Sequence, residues 1–188
     1  MKVPIEISAR HIHLSQKDLE RLFGRGYQLT KARDLSQPGE FSAKETVKLI
    51  GSKASFAQVR IVGPIRKNTQ VEVTVTEARA LGIKPPLRVS GQVKKSASAI
   101  LKGPEGQVKL KEGVIIAQRH LHLSPLEAKK FGLKNNQKVS VKIKGERSAT
   151  FHEVVVRASR QYKKACHLDT DEANSAGMKK CGYGELIF

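Results

Sequence analysis

The chain has 188 residues, 39% of them hydrophobic, enough to bury a core as one domain or as two small ones. Its 35 Lys and Arg against 17 Asp and Glu give a formal charge of +18, which attracts polyanions. No run approaches the roughly 18 apolar residues of a membrane span, the start MKVPIEISARH has neither a signal core nor a transit pattern, and Cys166 and Cys181 are too few for a disulfide framework, so the expectation is a cytoplasmic protein with no membrane partner.

In chain order, the β-like stretch VPIEIS runs into SARHIHLS, where Ser15, with Asp18 three residues later and Gly24 beyond, predicts a short capped helix. ETVKLI, AQVRIV and QVEVTV follow as strands. The segment PLRVSGQVKKSASAILKGPEGQ, rich in Gly, Pro, Ser and Lys, reads as a connection. The strand GVIIAQ then leads into RHLHLS, and Ser124, Pro125 and Glu127 mark a second capped helix. KVSVKI and HEVVVRA are further strands, and HLDTDEANSAG carries a third helix start at Asp169 and Glu172, ahead of Gly177.

SARHIHLSQKDLERLFG and AQRHLHLSPLEAKKFGL are two copies of one pattern, so the chain is read as an internal repeat: a mainly β protein of two similar small modules, each a barrel or sandwich with short capped helices. The boundary falls between Ser90 and Gly113, giving domains 1–95 and 96–188, with exchange of strands between the halves allowed for.

Four of the six histidines lie in the duplicated Arg-His-x-His-Leu-Ser pattern. Residues two apart on a strand share a face, so His11 with His13, and His120 with His122, are two-toothed ligands. Arg10 and Arg119 would face the other way and are weaker members of a site. Catalytic zinc takes three protein ligands. For the second pair the candidate is His167, with Asp169 and Asp171 nearby; for the first it is Glu72, a carboxylate in a Val-lined strand whose bland reading is a polar strand face. His152 reads as an ordinary strand histidine, and Cys166, beside His167, as a small buried residue rather than a nucleophile.

SARHIHLS, GPIRKNTQVEV, RHLHLS and HLDTDEANSAG together, in order and across the whole chain, resemble the propanediol-utilisation-type phosphotransacylases, or phosphate propanoyltransferases. The resemblance implies two β-barrel domains with the active site between them, and reversible transfer of an acyl group between coenzyme A and inorganic phosphate. It implies two divalent ions, zinc by family habit, one on His11, His13 and Glu72 and the other on His120, His122 and His167, with Arg66 as the active-site arginine. It also implies a homodimer and, as metabolic neighbour, a kinase consuming the acyl phosphate. Direct attack of phosphate on an acetyl or propanoyl thioester is the expected route, and the positive charge then meets the phosphates of CoA, with Lys94, Lys95, Lys163 and Lys164 as candidate contacts. Microcompartment members of the family carry an amphipathic segment before the first barrel; here the first strand starts almost at Met1, and Glu6 stands where a small residue is commoner.

Two readings from other classes use the same residues. A zinc hydrolase of thioesters or phosphoesters would activate water on the same ligands. A structural-zinc module would bind nucleic acid, but scattered basic residues, no Trp and 5% aromatics argue against a nucleic-acid partner.

Overall fold

The computed structural model describes residues 1–187. The chain divides into two compact units, one formed by Arg10–Ala117 and the other by Met1–Ala9 together with the chain from Gln118 onward. The elements run β1 (Lys2–Ser8), β2 (His11–His13), α1 (Gln16–Phe23), β3 (Lys31–Asp34), β4 (Phe41–Ile50), β5 (Ser55–Gly63), β6 (Gln70–Glu72), α2 (Val75–Leu81), β7 (Leu87–Arg88), β8 (Ala97–Lys102) and β9 (Gln107–Ala117). They continue with β10 (His120–Leu123), α3 (Pro125–Lys130), β11 (Lys138–Ile143), β12 (Ala149–Ala158), β13 (Ala165–Asp169), α4 (Thr170–Ser175) and β14 (Gly182–Ile187). Among the described residues no helix is long and apolar enough to cross a membrane.

The unit of Arg10–Ala117 closes into a six-stranded barrel: β4 pairs with β5, β5 with β2, β2 with β6, β6 with β9, β9 with β8, and β8 returns to β4. β3 and β7 lie beside β4 and β9. In the other unit the order β1-β13-β10-β12-β11-β14 is likewise closed. The two rings match strand for strand, since the motif strand pairs in parallel with β5 or β12 and antiparallel with β6 or β13.

The match reveals an exchange. β9 precedes the second motif in the chain yet completes the barrel of the first, in parallel with β6. β1 precedes the first motif yet completes the barrel of the second, in parallel with β13. Each repeat therefore lends its leading strand to the other barrel, and the chain passes between units at Ala9–Arg10 and Ala117–Gln118. The structure thus groups residues differently from a division at 95/96. The stretch read as a connection contains β7, β8 and the turn Gly103–Gly106, and β8 forms a hairpin with β9 in which Ala99, Leu101, Val108 and Leu110 are buried in the first core.

A second difference concerns QVEVTV. Its strand ends at Glu72, and Thr74 opens α2 with a full capping box to Glu77. The motif serines behave as expected, Ser15 and Ser124 accepting from the backbone N–H of Asp18 and Glu127. Two hairpin turns also dock on helix ends: Lys53 N–H donates to the Leu81 carbonyl at 3.0 Å and Glu105 N–H to the Leu22 carbonyl at 3.0 Å. Such approach requires glycine, because a Cβ on Gly51 would lie 2.1 Å from Leu81 O and one on Gly103 2.4 Å from Leu22 O.

Gly51→Ala is accordingly expected to push the turn off α2 and lower unfolding free energy by about 1–3 kcal/mol, read as a reduced urea midpoint.

Candidate metal centres

The register of the motif strands creates two clusters. In the first barrel β2 and β6 run antiparallel with His11 opposite Glu72 and His13 opposite Gln70. In the second, β10 and β13 place His120 opposite His167. Directly opposed residues project to one face with Cβ atoms about 4.5–5.5 Å apart. Ile12 and Leu121, between the histidines, point the other way and are fully buried in their cores. In each trio the ligand atoms lie within 4.8 Å of one another.

The donors fit a divalent ion. The Nε2 atoms of His11 and His13 are 3.1 Å apart, close to the roughly 3.3 Å separating two nitrogens bound tetrahedrally to one zinc, and His11 Nε2 lies 3.7 Å from Glu72 Oε2. In the second trio the rings of His120 and His167 are stacked with centroids 4.9 Å apart, and both ring nitrogens of His122 are buried with no hydrogen-bond partner among the described residues. Such orphaned polar atoms are costly unless something coordinates them.

Ring orientation is also set. His13 Nδ1 lies 3.0 Å from the Val62 carbonyl and His120 Nδ1 2.9 Å from the Gln118 carbonyl; with the proton donated there, each Nε2 is left as the lone-pair nitrogen. Burial, then the neighbouring His11 and Arg66, holds His13 well below the usual imidazole range. Burial, then His120, His167 and Arg157, pulls His122 down to about 2. Both imidazoles are therefore neutral near pH 7, the form that ligates metal. His122 also stacks on Tyr162, centroids 3.8 Å apart and 8° from parallel.

Glu72 is held by neighbours that sequence reasoning missed. Its Oε1 accepts from Gln70 Nε2 at 2.6 Å and from the Ser90 hydroxyl at 2.9 Å, while Gln70 Oε1 accepts the Gly91 N–H at 2.7 Å. Gln70 shares a strand face with Glu72, a signal that period-2 spacing offered; Ser90 sits in an irregular turn and offered none.

The motif arginines have a separate duty. Arg10 Nη1 pairs with Glu77 at 2.7 Å and its guanidinium lies 4.5 Å from the Phe56 ring centroid. Arg119 Nε pairs with Glu172 at 3.2 Å and lies 5.5 Å from the Phe151 ring. Glu77 and Glu172 are also the capping-box residues of α2 and α4, the helices that follow the strands carrying Glu72 and His167. Each arginine thus braces its motif strand to the element behind the third ligand. Burial raises the Glu172 carboxyl despite Arg119.

Arg66 lies with the first trio, its charge helping to depress His13. Its Nη1 donates to Ser90 Oγ and its Nη2 to Glu40 Oε1, both at 3.3 Å, and its backbone N–H donates to Leu14 O at 2.9 Å. It borders a cleft of about 920 Å³ whose lining includes Lys17, Lys67 and Lys94 with Asp18 and Glu112. Of the four lysines singled out in the sequence, Lys94 lines this cleft, whereas Lys164 lies over the Phe131 ring and 3.9 Å from Glu127. Lys95 and Lys163 are exposed. His152 is exposed on β12, bonded to Ser140. Asp169 serves as the N-cap of α4.

The family model described as phosphate propanoyltransferase matches residues 4–179. The chain is 49% identical over 181 residues to the phosphate propanoyltransferase of Lachnoclostridium phytofermentans, covering 96% of this chain and 84% of that one. It is 51% identical over 180 residues to that of Priestia megaterium (96% and 82% covered) and 41% identical over 185 residues to that of Clostridioides difficile (98% and 88%).

Cys166 is fully buried and its thiol is pushed up to about 12, burial being the main cause, while Cys181 is exposed. A disulfide reagent at pH 8 is expected to titrate one thiol rapidly in the native chain, Cys181, and the second only after denaturation.

Proposed function

The chain belongs to the phosphate propanoyltransferase family and is a phosphate acyltransferase; from that premise we propose that it exchanges an acetyl or propanoyl group between coenzyme A and inorganic phosphate, with a metal at each histidine cluster. The observation that carries the metal-assisted reading is the pair of in-register trios, His11, His13 and Glu72 in one barrel and His120, His122 and His167 in the other.

Divalent ions bound there would supply Lewis acidity toward phosphate oxygens at the harder His and Glu set and would favour the thiolate form of the CoA sulfur at the three-histidine set. Arg66 contributes a fixed cation on the cleft wall, and a guanidinium grips phosphate with two parallel hydrogen bonds. The proposed step is direct. A phosphate oxygen forms the bond to the thioester carbonyl carbon, the carbon–sulfur bond breaks, and CoA leaves with the electron pair as thiolate. Arg66 orients the nucleophile and offsets charge on the carbonyl oxygen as the tetrahedral arrangement forms. The Cys166 thiol, buried and held protonated, is unsuited to carry the acyl group.

The repeat supports a division of labour. Aligned by the motifs, Gln70 and Glu72 of the first barrel stand where the second has Ala165 and His167, so the oxygen-rich set lies on the side of Arg66. Acetyl and propanoyl differ by one methylene, which a pocket separates by about 1–3 kcal/mol, so both are proposed as substrates. We further place the protein in a reducing cytoplasm, consistent with two free cysteines, as a homodimer whose acyl phosphate is taken up by a kinase.

The test is release of free thiol from acetyl-CoA and propanoyl-CoA with and without phosphate, before and after chelation, beside a metal count. Thiol appearing only with phosphate, lost on chelation, with about two ions per chain, is the expected result; release without phosphate would instead favour the hydrolase. Arg66→Ala is expected to lower kcat/KM roughly 100-fold, with the phosphate KM raised.

A further inference from the structure

Ser90 is the point where the candidate phosphate-binding arginine and the carboxylate of the first metal centre meet. Its hydroxyl donates to Glu72 Oε1 at 2.9 Å and accepts from Gln70 Nε2 at 2.8 Å and from Arg66 Nη1 at 3.3 Å. Glu72 is 8% exposed and Gln70 1%, so two of these partners sit away from bulk water, where such bonds define geometry strongly. Gln70 is fixed in turn by the Gly91 N–H, which makes the Ser90–Gly91 turn a clamp closing on β6 from outside the ring of strands.

The consequence for Glu72 is directional. With Oε1 taken by two donors, the remaining oxygen, Oε2, is the one presented 3.7 Å from His11 Nε2. The consequence for Arg66 is positional, since Ser90 Oγ and Glu40 Oε1 receive its two Nη groups. At the matching place in the second barrel, β13 carries Ala165 where β6 carries Gln70, so no counterpart to the Gln70 bond exists there.

We propose that Ser90, supported by Gln70, is a positioning residue that orders Glu72 as a metal ligand and Arg66 as a phosphate contact through one shared hydroxyl. This rests on the functional reading above. Ligand-orienting partners of this kind change metal affinity by about 10- to 100-fold when removed.

The test compares wild type, Ser90→Ala, Ser90→Thr and Gln70→Leu, using Co²⁺ as probe. Metal affinity is read by competition with a chromogenic chelator and by the visible Co²⁺ spectrum, and kinetics by KM and kcat for phosphate. Ser90→Ala is expected to weaken one of two Co²⁺ sites by about 10- to 100-fold and change its spectrum while the other keeps its affinity. It should also raise the phosphate KM about tenfold with a smaller change in kcat, and Ser90→Thr, which keeps the hydroxyl, should restore both. Gln70→Leu should weaken the same site, which carries the test should Ser90→Ala not fold. Unchanged affinity at both sites in the folded variants, equal weakening of both, or failure of Ser90→Thr to restore what Ser90→Ala loses would overturn the proposal. If the wild type binds two ions but transfers no acyl group, the functional reading fails while the affinity arm still decides whether Ser90 orders the metal ligand.

Discussion

An antiparallel pairing of two short strands is the constraint on which the rest depends. His11 lies opposite Glu72 and His120 opposite His167, so in each barrel three candidate metal ligands converge from residues far apart in the chain. A slip of one residue in either pairing would put the third candidate ligand and the histidine pair on opposite faces, and would turn either Ile12 or Leu121, or the apolar residue opposite it, Val71 or Cys166, out of its core. Burial of those side chains therefore fixes the chemistry as well as the packing. The Arg10–Glu77 and Arg119–Glu172 ion pairs, each beside a phenylalanine ring, tie the motif strand to the helix that follows the opposing strand.

Much of this was legible in the residues because it was written twice. The repeated Arg-His-x-His-Leu-Ser gave the candidate ligand pairs, the caps at Ser15 and Ser124 and the expectation of two related barrels, and HLDTDEANSAG gave the cap at Asp169. Glu72 stood out as a carboxylate in a Val-lined strand, and His167 as a histidine just before a capped helix with Asp169 and Asp171 nearby. What stayed hidden was long-range. The stretch PLRVSGQVKKSASAILKGPEGQ looked like a connection because Lys, Ser and Gly are frequent in it, while the buried positions of its strand, Ala99 and Leu101, stand two apart and are matched by Val108 and Leu110 just beyond it. Helix α2 was masked by the valines around Glu72, although the Thr74–Glu77 box was present in the letters. Ser90 carried no signal, since a serine in a Gly-rich turn has no period to betray which side chain it meets.

Duplication followed by divergence also explains why the two centres differ in character. The frame of barrel, motif strand, capped helix and arginine brace is common to both, and among the positions that differ are the third candidate ligand and the residue two before it. Glu72 with Gln70 makes one centre rich in oxygen and hydrogen bonds, whereas His167 with Ala165 makes the other an all-imidazole set beside the Tyr162 ring. A set with one carboxylate and a set of imidazoles alone thus stand on one scaffold, the difference lying in the pairs Gln70/Ala165 and Glu72/His167.

The exchange of leading strands bears on how the chain comes into being. β1 precedes every other element described, yet its partners are β13 and β14, the last two strands in the order. Its backbone cannot be paired until both of those strands have been made, and the barrel around the first motif closes only once β9, which leads the second repeat, has followed. Neither half of the gene encodes a complete barrel. A single repeat on its own would lack one wall of its barrel, and the two close here only by trading strands.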